Sequence, residues 1–107
     1  MRFRDDAWFS GFIDAEGCFT RGSSRGEFYP KFAIGLRQDD FPLLNALRHE
    51  FGGSLTVHHQ IGGNRQPAAR WVLYGGDLWN LIEYLDRFPL RAKKAEQYAA
   101  WRKEHDL

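Results

Sequence analysis

Two groups of charged side chains stand where a helix disfavours them. The run Trp8 to Gly17 reads W-F-S-G-F-I-D-A-E-G, and its carboxylates, Asp14 and Glu16, fall at a helix C-terminus, where the macrodipole repels negative charge. Far along the chain, Arg91, Lys93 and Lys94 crowd the first turn of a last helix, the end that repels cations. Carboxylates offer the oxygen ligands that hard divalent cations prefer. Cations at a helix N-terminus are better explained if they face a phosphate or a carboxylate. Other chemistries fit poorly. The single Cys18 rules out an intrachain disulfide and a cysteine-based zinc cluster. His58 and His59 are adjacent, so on a strand they point to opposite faces and make a poor metal pair.

The helix carrying the carboxylates is itself unusual. Gly11 sits mid-segment, where it costs roughly 1 kcal/mol relative to alanine. At 3.6 residues per turn Ala7, Gly11 and Ala15 share one face, with Ser10 and Asp14 beside them. Trp8, Phe9, Phe12 and Ile13 make a broad apolar face opposite. The large side chains serve the chain's own core. The small stripe lets a second helix backbone approach closely, as small-xxx-small seams do.

The remaining elements follow from periodicity and turn chemistry. Asp5 or Asp6 caps the first helix. A strand from about Cys18 to Gly22 leads through a Gly- and Ser-rich turn (Gly22 to Gly26) into a second, Phe28 to Gln38. There Phe32, Ile34 and Leu36 alternate with Lys31, Ala33, Gly35 and Arg37, the clearest strand pattern in the chain. Asp39 or Asp40 caps a helix to Phe51, with Pro42 in its first turn, and Gly52-Gly53 ends it. Strand three, Ser54 to about Gln60, buries Leu55 and Val57 and exposes Thr56, His58 and Gln60. Gly62-Gly63-Asn64 turns into strand four, Ala69 to Tyr74, with Trp71 and Leu73 inward and Arg70 and Val72 outward. Asp77 caps a helix to Arg87, Pro89 breaks it, and a last helix runs from about Arg91 to His105.

The expected fold is α+β, α-β-β-α-β-β-α-α, a single domain over residues 1–107. Helices pack on one face of a four-stranded antiparallel sheet, leaving a polar, basic, saddle-like face open. Net charge is only +1, but residues 17–38 and 54–74 hold Arg21, Arg25, Lys31, Arg37, Arg65 and Arg70 against one acid, Glu27. That local +5 is what a phosphate backbone feels. A strand of about eight residues spans about 26 Å, comparable to eight base-pair steps, so one copy reads part of a long site. No apolar run is long enough to span a bilayer, and an intracellular setting without a membrane partner fits best.

The nonapeptide Phe9-Ser10-Gly11-Phe12-Ile13-Asp14-Ala15-Glu16-Gly17 closely resembles the signature of LAGLIDADG homing endonucleases, departing at Phe9, Ser10, Phe12 and Glu16. The resemblance continues in F-A-I-G-L-R-Q-D-D (Phe32–Asp40), F-G-G-S-L (Phe51–Leu55) and F-P-L-R-A-K-K (Phe88–Lys94), in the family's order. It implies a site-specific double-strand DNA endonuclease using Mg2+, or another divalent metal such as Mn2+ or Ca2+. Glu16 matches the family's metal-binding acid, with the Ala15 carbonyl as a further oxygen ligand. Asp14 matches a structural acid, Lys93 the active-site lysine and Gln38 the residue orienting the attacking water.

One motif per chain implies a homodimer on a roughly palindromic target, its first helices meeting through Ala7, Ser10, Gly11, Asp14 and Ala15. DNA contacts are then expected from Cys18, Thr20, Gly22 and Arg25 on the first hairpin arm and turn, and Lys31, Gly35 and Arg37 on the second. Strands three and four and their turn would add Thr56, His58, Gln60, Arg65, Arg70 and Val72. The family cuts across the minor groove, leaving short 3′ overhangs. A non-cleaving module on the same fold, such as an intron RNA maturase or a regulator, is the alternative. The implied setting is a bacterial or viral-host cytoplasm, or an organelle matrix.

Overall fold

The computed structural model of the chain describes residues 2–58 and 68–107. Helix α1 (Trp8–Glu16) runs directly into strand β1 (Gly17–Ser24), which pairs antiparallel with β2 (Glu27–Arg37). After α2 (Phe41–Phe51) come β3 (Ser54–His58) and β4 (Ala68–Tyr74), followed by α3 (Leu78–Arg87) and α4 (Lys94–Glu104). The sheet is four-stranded in the order β1-β2-β4-β3, so β4 enters beside β2 and leaves β1 and β3 as edges. The expected α+β order and antiparallel sheet are both present.

Local chemistry accounts for the corners. Arg25 (φ 52) and Gly26 (φ 81) form a two-residue turn with two positive φ angles, whose twist matches the strands it joins. Because Ser24 pairs with Glu27, the hairpin arms run further towards the tip than expected. Gly52 (φ 92) and Gly53 (φ 89) stop α2, and a Cβ on Gly53 would lie 2.4 Å from the Val72 carbonyl oxygen. Only glycine fits that corner.

The core lies between one sheet face and the helices. Phe32, Ile34, Trp71 and Leu73 from the sheet pack with Phe9 and Ile13 of α1, Leu44, Leu47 and Phe51 of α2, and Leu81, Tyr84 and Leu85 of α3. The Tyr84 hydroxyl fixes the start of α1: it accepts from the Ser10 N–H (2.9 Å) and donates to the Asp6 carbonyl (2.6 Å). The Asp6 carboxylate accepts from the Trp8 N–H at 2.6 Å, as expected of a helix cap. Two donors that α1 cannot satisfy itself are thereby paired.

Several expectations need correction. Asp40 and Asp77 make no side-chain cap on their own helices. Asp77 instead accepts from the Gly53 N–H at 3.0 Å, because the glycine corner brings that amide to it. The last helix begins at Lys94, not Arg91. Trp8 is not a core residue. The buried direction of α1 runs through Phe9, Ser10 and Ile13, leaving Trp8 45% exposed and stacked on Phe12 at 5.1 Å.

Candidate active site and nucleic-acid interface

The C-terminal end of α1 and the segment before α4 are 77 residues apart, and Asp14 joins them. Its Oδ2 accepts from the Arg91 N–H (3.1 Å) and its Oδ1 from the Ala92 N–H (3.3 Å). These two amides occupy the carboxylate and hold residues 91–93 out of the helix, which is why α4 starts later than its sequence suggests. Arg91 therefore lies outside the first turn; Lys93 takes the capping position and Lys94 the first helical one. Glu16 lies two residues beyond Asp14 and Lys93 next to Ala92, and both are exposed. Gln38 opens the short 3-10 turn that follows β2. Gly17 pairs with Ile34, so Glu16 is level with Gly35 and Gln38 stands about 10 Å further along the strand. Glu16 and Lys93 thus lie close in sequence to the two ends of the Asp14 tether, and Gln38 lies further along, just past β2.

The fit to a divalent cation rests on this donor set. The Gly17 N–H bonds to the Ile13 carbonyl, so the Ala15 carbonyl lies beyond the helical ladder's last partner. An exposed carboxylate and a free carbonyl at the negative end of a helix dipole suit a hard cation. Among the described residues, no group of three or more His, Cys, Asp or Glu side chains lies close enough to enclose a metal.

Along α1, Ala7, Gly11 and Ala15 are exposed, and a Cβ built on Gly11 meets nothing within 4 Å. Among the described residues, nothing covers the small ridge at Gly11. Two residues placed on it in the sequence reading face inward instead. Ser10 is 5% exposed, and its hydroxyl donates to the Pro89 carbonyl at 3.2 Å. Asp14 spends its carboxylate on Arg91 and Ala92. Trp8 and Phe12 border the ridge in their place.

The sheet face away from the core is built of cross-strand rows. Cys18, Ala33, Val72 and Ser54 form one; Gly35, Arg70 and Thr56 the next; Arg37, Ala68 and His58 a third. Thr56 Oγ1 and His58 Nε2 lie 3.2 Å apart, as same-face neighbours on β3 should. Thr20, Lys31 and Tyr74 form a row on the other side of Ala33, and Arg25 sits at the hairpin tip. The alternation read from the sequence therefore puts Cys18, Thr20, Lys31, Gly35, Arg37, Thr56, His58, Arg70 and Val72 on one face, the face away from the core. Gln60, Arg65 and the turn at 62–64 lie outside the described residues.

Two members of the anticipated surface differ. Gly22 is covered by the Tyr29 ring, so the tyrosine presents the surface there. Arg21, counted in the local positive charge, points to the helix side. It pairs with Glu104 at 3.5 Å and stacks on Phe28 at 3.9 Å. The sequence reading also missed two aromatic side chains. Tyr29 and Tyr74 share the open face with their ring centroids 6.0 Å apart. Parity alone would have found both, since 29 continues 31-33-35-37 and 74 continues 70-72.

Comparison with known proteins places this architecture. The chain is 35% identical over 104 residues to an uncharacterized 50.9 kDa protein in ND4 intron 1 of Podospora anserina, covering 87% of this chain and 22% of that protein. It is 27% identical over 111 residues to the probable intron-encoded endonuclease 4 of Neurospora crassa, covering 96% and 19%. The chain spans about a fifth of the length of these curated relatives. The homing endonuclease I-TnaI superposes with a TM-score of 0.77 at 29% identity, covering 94% of this chain and 69% of that one. The LAGLIDADG meganuclease I-CpaMI, solved on uncleaved DNA, superposes at 0.79 with 27% identity, covering 94% and 36%. A model of the LAGLIDADG endonuclease family matches residues 9–105, from the first buried residue of α1 to just past the end of α4. With signature helix, sheet and corner in the same order, the chain belongs to that family.

Proposed function

We propose that this domain binds a long, roughly palindromic DNA duplex as a homodimer and hydrolyses one phosphodiester on each strand. The observation carrying this reading is the exposed α1 ridge that ends in an exposed acid, two residues past the Asp14 carboxylate that tethers the segment leading into Lys93. A twofold axis along that ridge brings the partner's Glu16 towards this chain's, supplying the second carboxylate that one chain lacks. Glu16 and the Ala15 carbonyl would hold a divalent ion. When bound, such an ion supplies positive charge at the scissile phosphate. The Lys93 ammonium stabilises charge developing on the transferring phosphoryl group, and Gln38 orients the attacking water. Arg25, Arg37, Arg70 and Lys31 carry the phosphate and base-edge contacts, with Thr56 and His58 completing the polar set on the strands.

The test is a cleavage selection on a randomised palindromic library with Mg2+, comparing the wild type with Glu16→Gln. Wild type should enrich cut palindromes. Glu16→Gln should bind the same site but cut it at least about 100-fold more slowly. Equal cutting by both would remove Glu16 from the mechanism. Selective binding without cutting by the wild type would favour a non-cleaving module.

A further inference from the structure

We propose that Tyr74, backed by Tyr29, reads a thymine methyl group in the DNA major groove. This rests on the duplex-binding reading above and adds a base-reading residue to it. Tyr74 is the last residue of β4 and is 54% exposed. Its row neighbours are Lys31 and Thr20. On its other side β3 begins only at Ser54, opposite Val72, so no strand residue flanks the ring there. A recess lined by Gly53, Ser54, Tyr74 and Asp77 opens beside it instead. Tyr29, half-buried over Gly22, supports the opposite side of the ring at 6.0 Å between centroids.

The result is a propped aromatic surface on a face that is otherwise polar or small. Lys31, directly across the strand pair, is the natural phosphate contact, so the ring is not needed for charge. On a surface that reads base edges, an aromatic face packs best against an apolar group, and the thymine methyl is the apolar group on the major-groove edge of a base pair. Tyr74 lies two residue steps along β4 from Val72, so this contact lies about 7 Å, roughly two base-pair steps, outward of the Cys18–Val72 row.

Replacing thymine by uracil deletes that methyl and leaves base pairing intact. On the site recovered by the selection, uracil should be introduced at each thymine in turn, symmetrically in both half-sites, and duplex affinity measured. Wild type should show one position where uracil weakens binding about 4-fold per half-site, the worth of one buried methyl. Tyr74→Ala and Tyr74→Gln should lose that penalty, whereas Tyr74→Phe, which keeps the ring, should retain it. Lys31→Ala should keep the uracil penalty, weaken binding to all duplexes and lower the salt slope by about one. A uracil penalty that survives in Tyr74→Ala and Tyr74→Gln, or a wild type indifferent to uracil everywhere, overturns the assignment. A wild type that selects no duplex overturns the DNA-binding reading itself.

Discussion

Replacing Asp14 by alanine, and separately by asparagine, separates what its tether contributes to stability from what it contributes to the site. The carboxylate accepts two backbone hydrogen bonds, of 3.1 and 3.3 Å, at a partly exposed position. Charge-assisted bonds are stronger than neutral ones, but these are long and solvent-exposed, so about 0.5–1 kcal/mol each is appropriate. Alanine forfeits both, about 1–2 kcal/mol. It also removes a negative charge from a helix C-terminus, which returns about 0.5 kcal/mol. The tether wins, and the expected net loss is about 1 kcal/mol, or about 4 °C in Tm for a domain of this size. Asparagine keeps one acceptor and should lose about half as much.

The effect on cleavage should be larger than stability explains. Lys93 follows Ala92, so releasing residues 91–92 would free the ammonium from the position the proposed mechanism gives it. With both variants still more than about 99% folded at 25 °C, single-turnover cleavage should fall at least about 10-fold for alanine and less for asparagine. The assays are urea unfolding and single-turnover cleavage of the selected site. An alanine variant that is destabilised as expected yet cleaves at the wild-type rate would show that the tether does not position Lys93. Unchanged stability in both variants would show that the two hydrogen bonds are not held in solution.

Gly11→Leu should keep the folded monomer, since its side chain enters open space, but abolish the proposed dimer in sedimentation equilibrium. Normal dimerisation would mean that the contact lies elsewhere. Tyr84→Phe strands the Ser10 N–H and loses the bond to the Asp6 carbonyl, and should cost about 2 kcal/mol, read as a lower urea midpoint at unchanged slope. An unshifted midpoint would mean that other groups pair those atoms. Burial raises the phenol pKa of Tyr84, chiefly through desolvation, and that of Tyr98 likewise, so the folded state favours the neutral hydroxyls. That contribution is complete below the unfolded tyrosine value of about 10 and is lost as pH rises through the folded values. Unfolding free energy should therefore drop above pH 10, less steeply in Tyr84→Phe, and equal slopes in the two proteins would refute this.

The parts of the molecule legible in the sequence are those set by local backbone preferences. The alternation of β2, the glycine corner after α2 and the proline break before the last helix each depend on a few neighbouring residues, and each appears where expected. Strand parity carried the open face with it, because side-chain direction on a strand has a strict period of two. The signature run marked the corner of Glu16 because its residue types and order are themselves the signal.

What tertiary structure decided are the choices between equivalent local options. A helix with apolar residues around most of its circumference has no local reason to bury Phe9 and Ser10 rather than Trp8; the position of Tyr84 and Pro89 settles it. Asp14 could have faced a partner chain, but meets amides 77 and 78 residues away that delay the start of α4. Parity already sends Arg21 to the helix side of β1, but only the packing of α4 brings Glu104 to it as a partner. Tyr29 and Tyr74 become one surface only because β4 inserts beside β2. Such pairings depend on register and packing between distant segments, and many chains with the same local pattern would satisfy them differently.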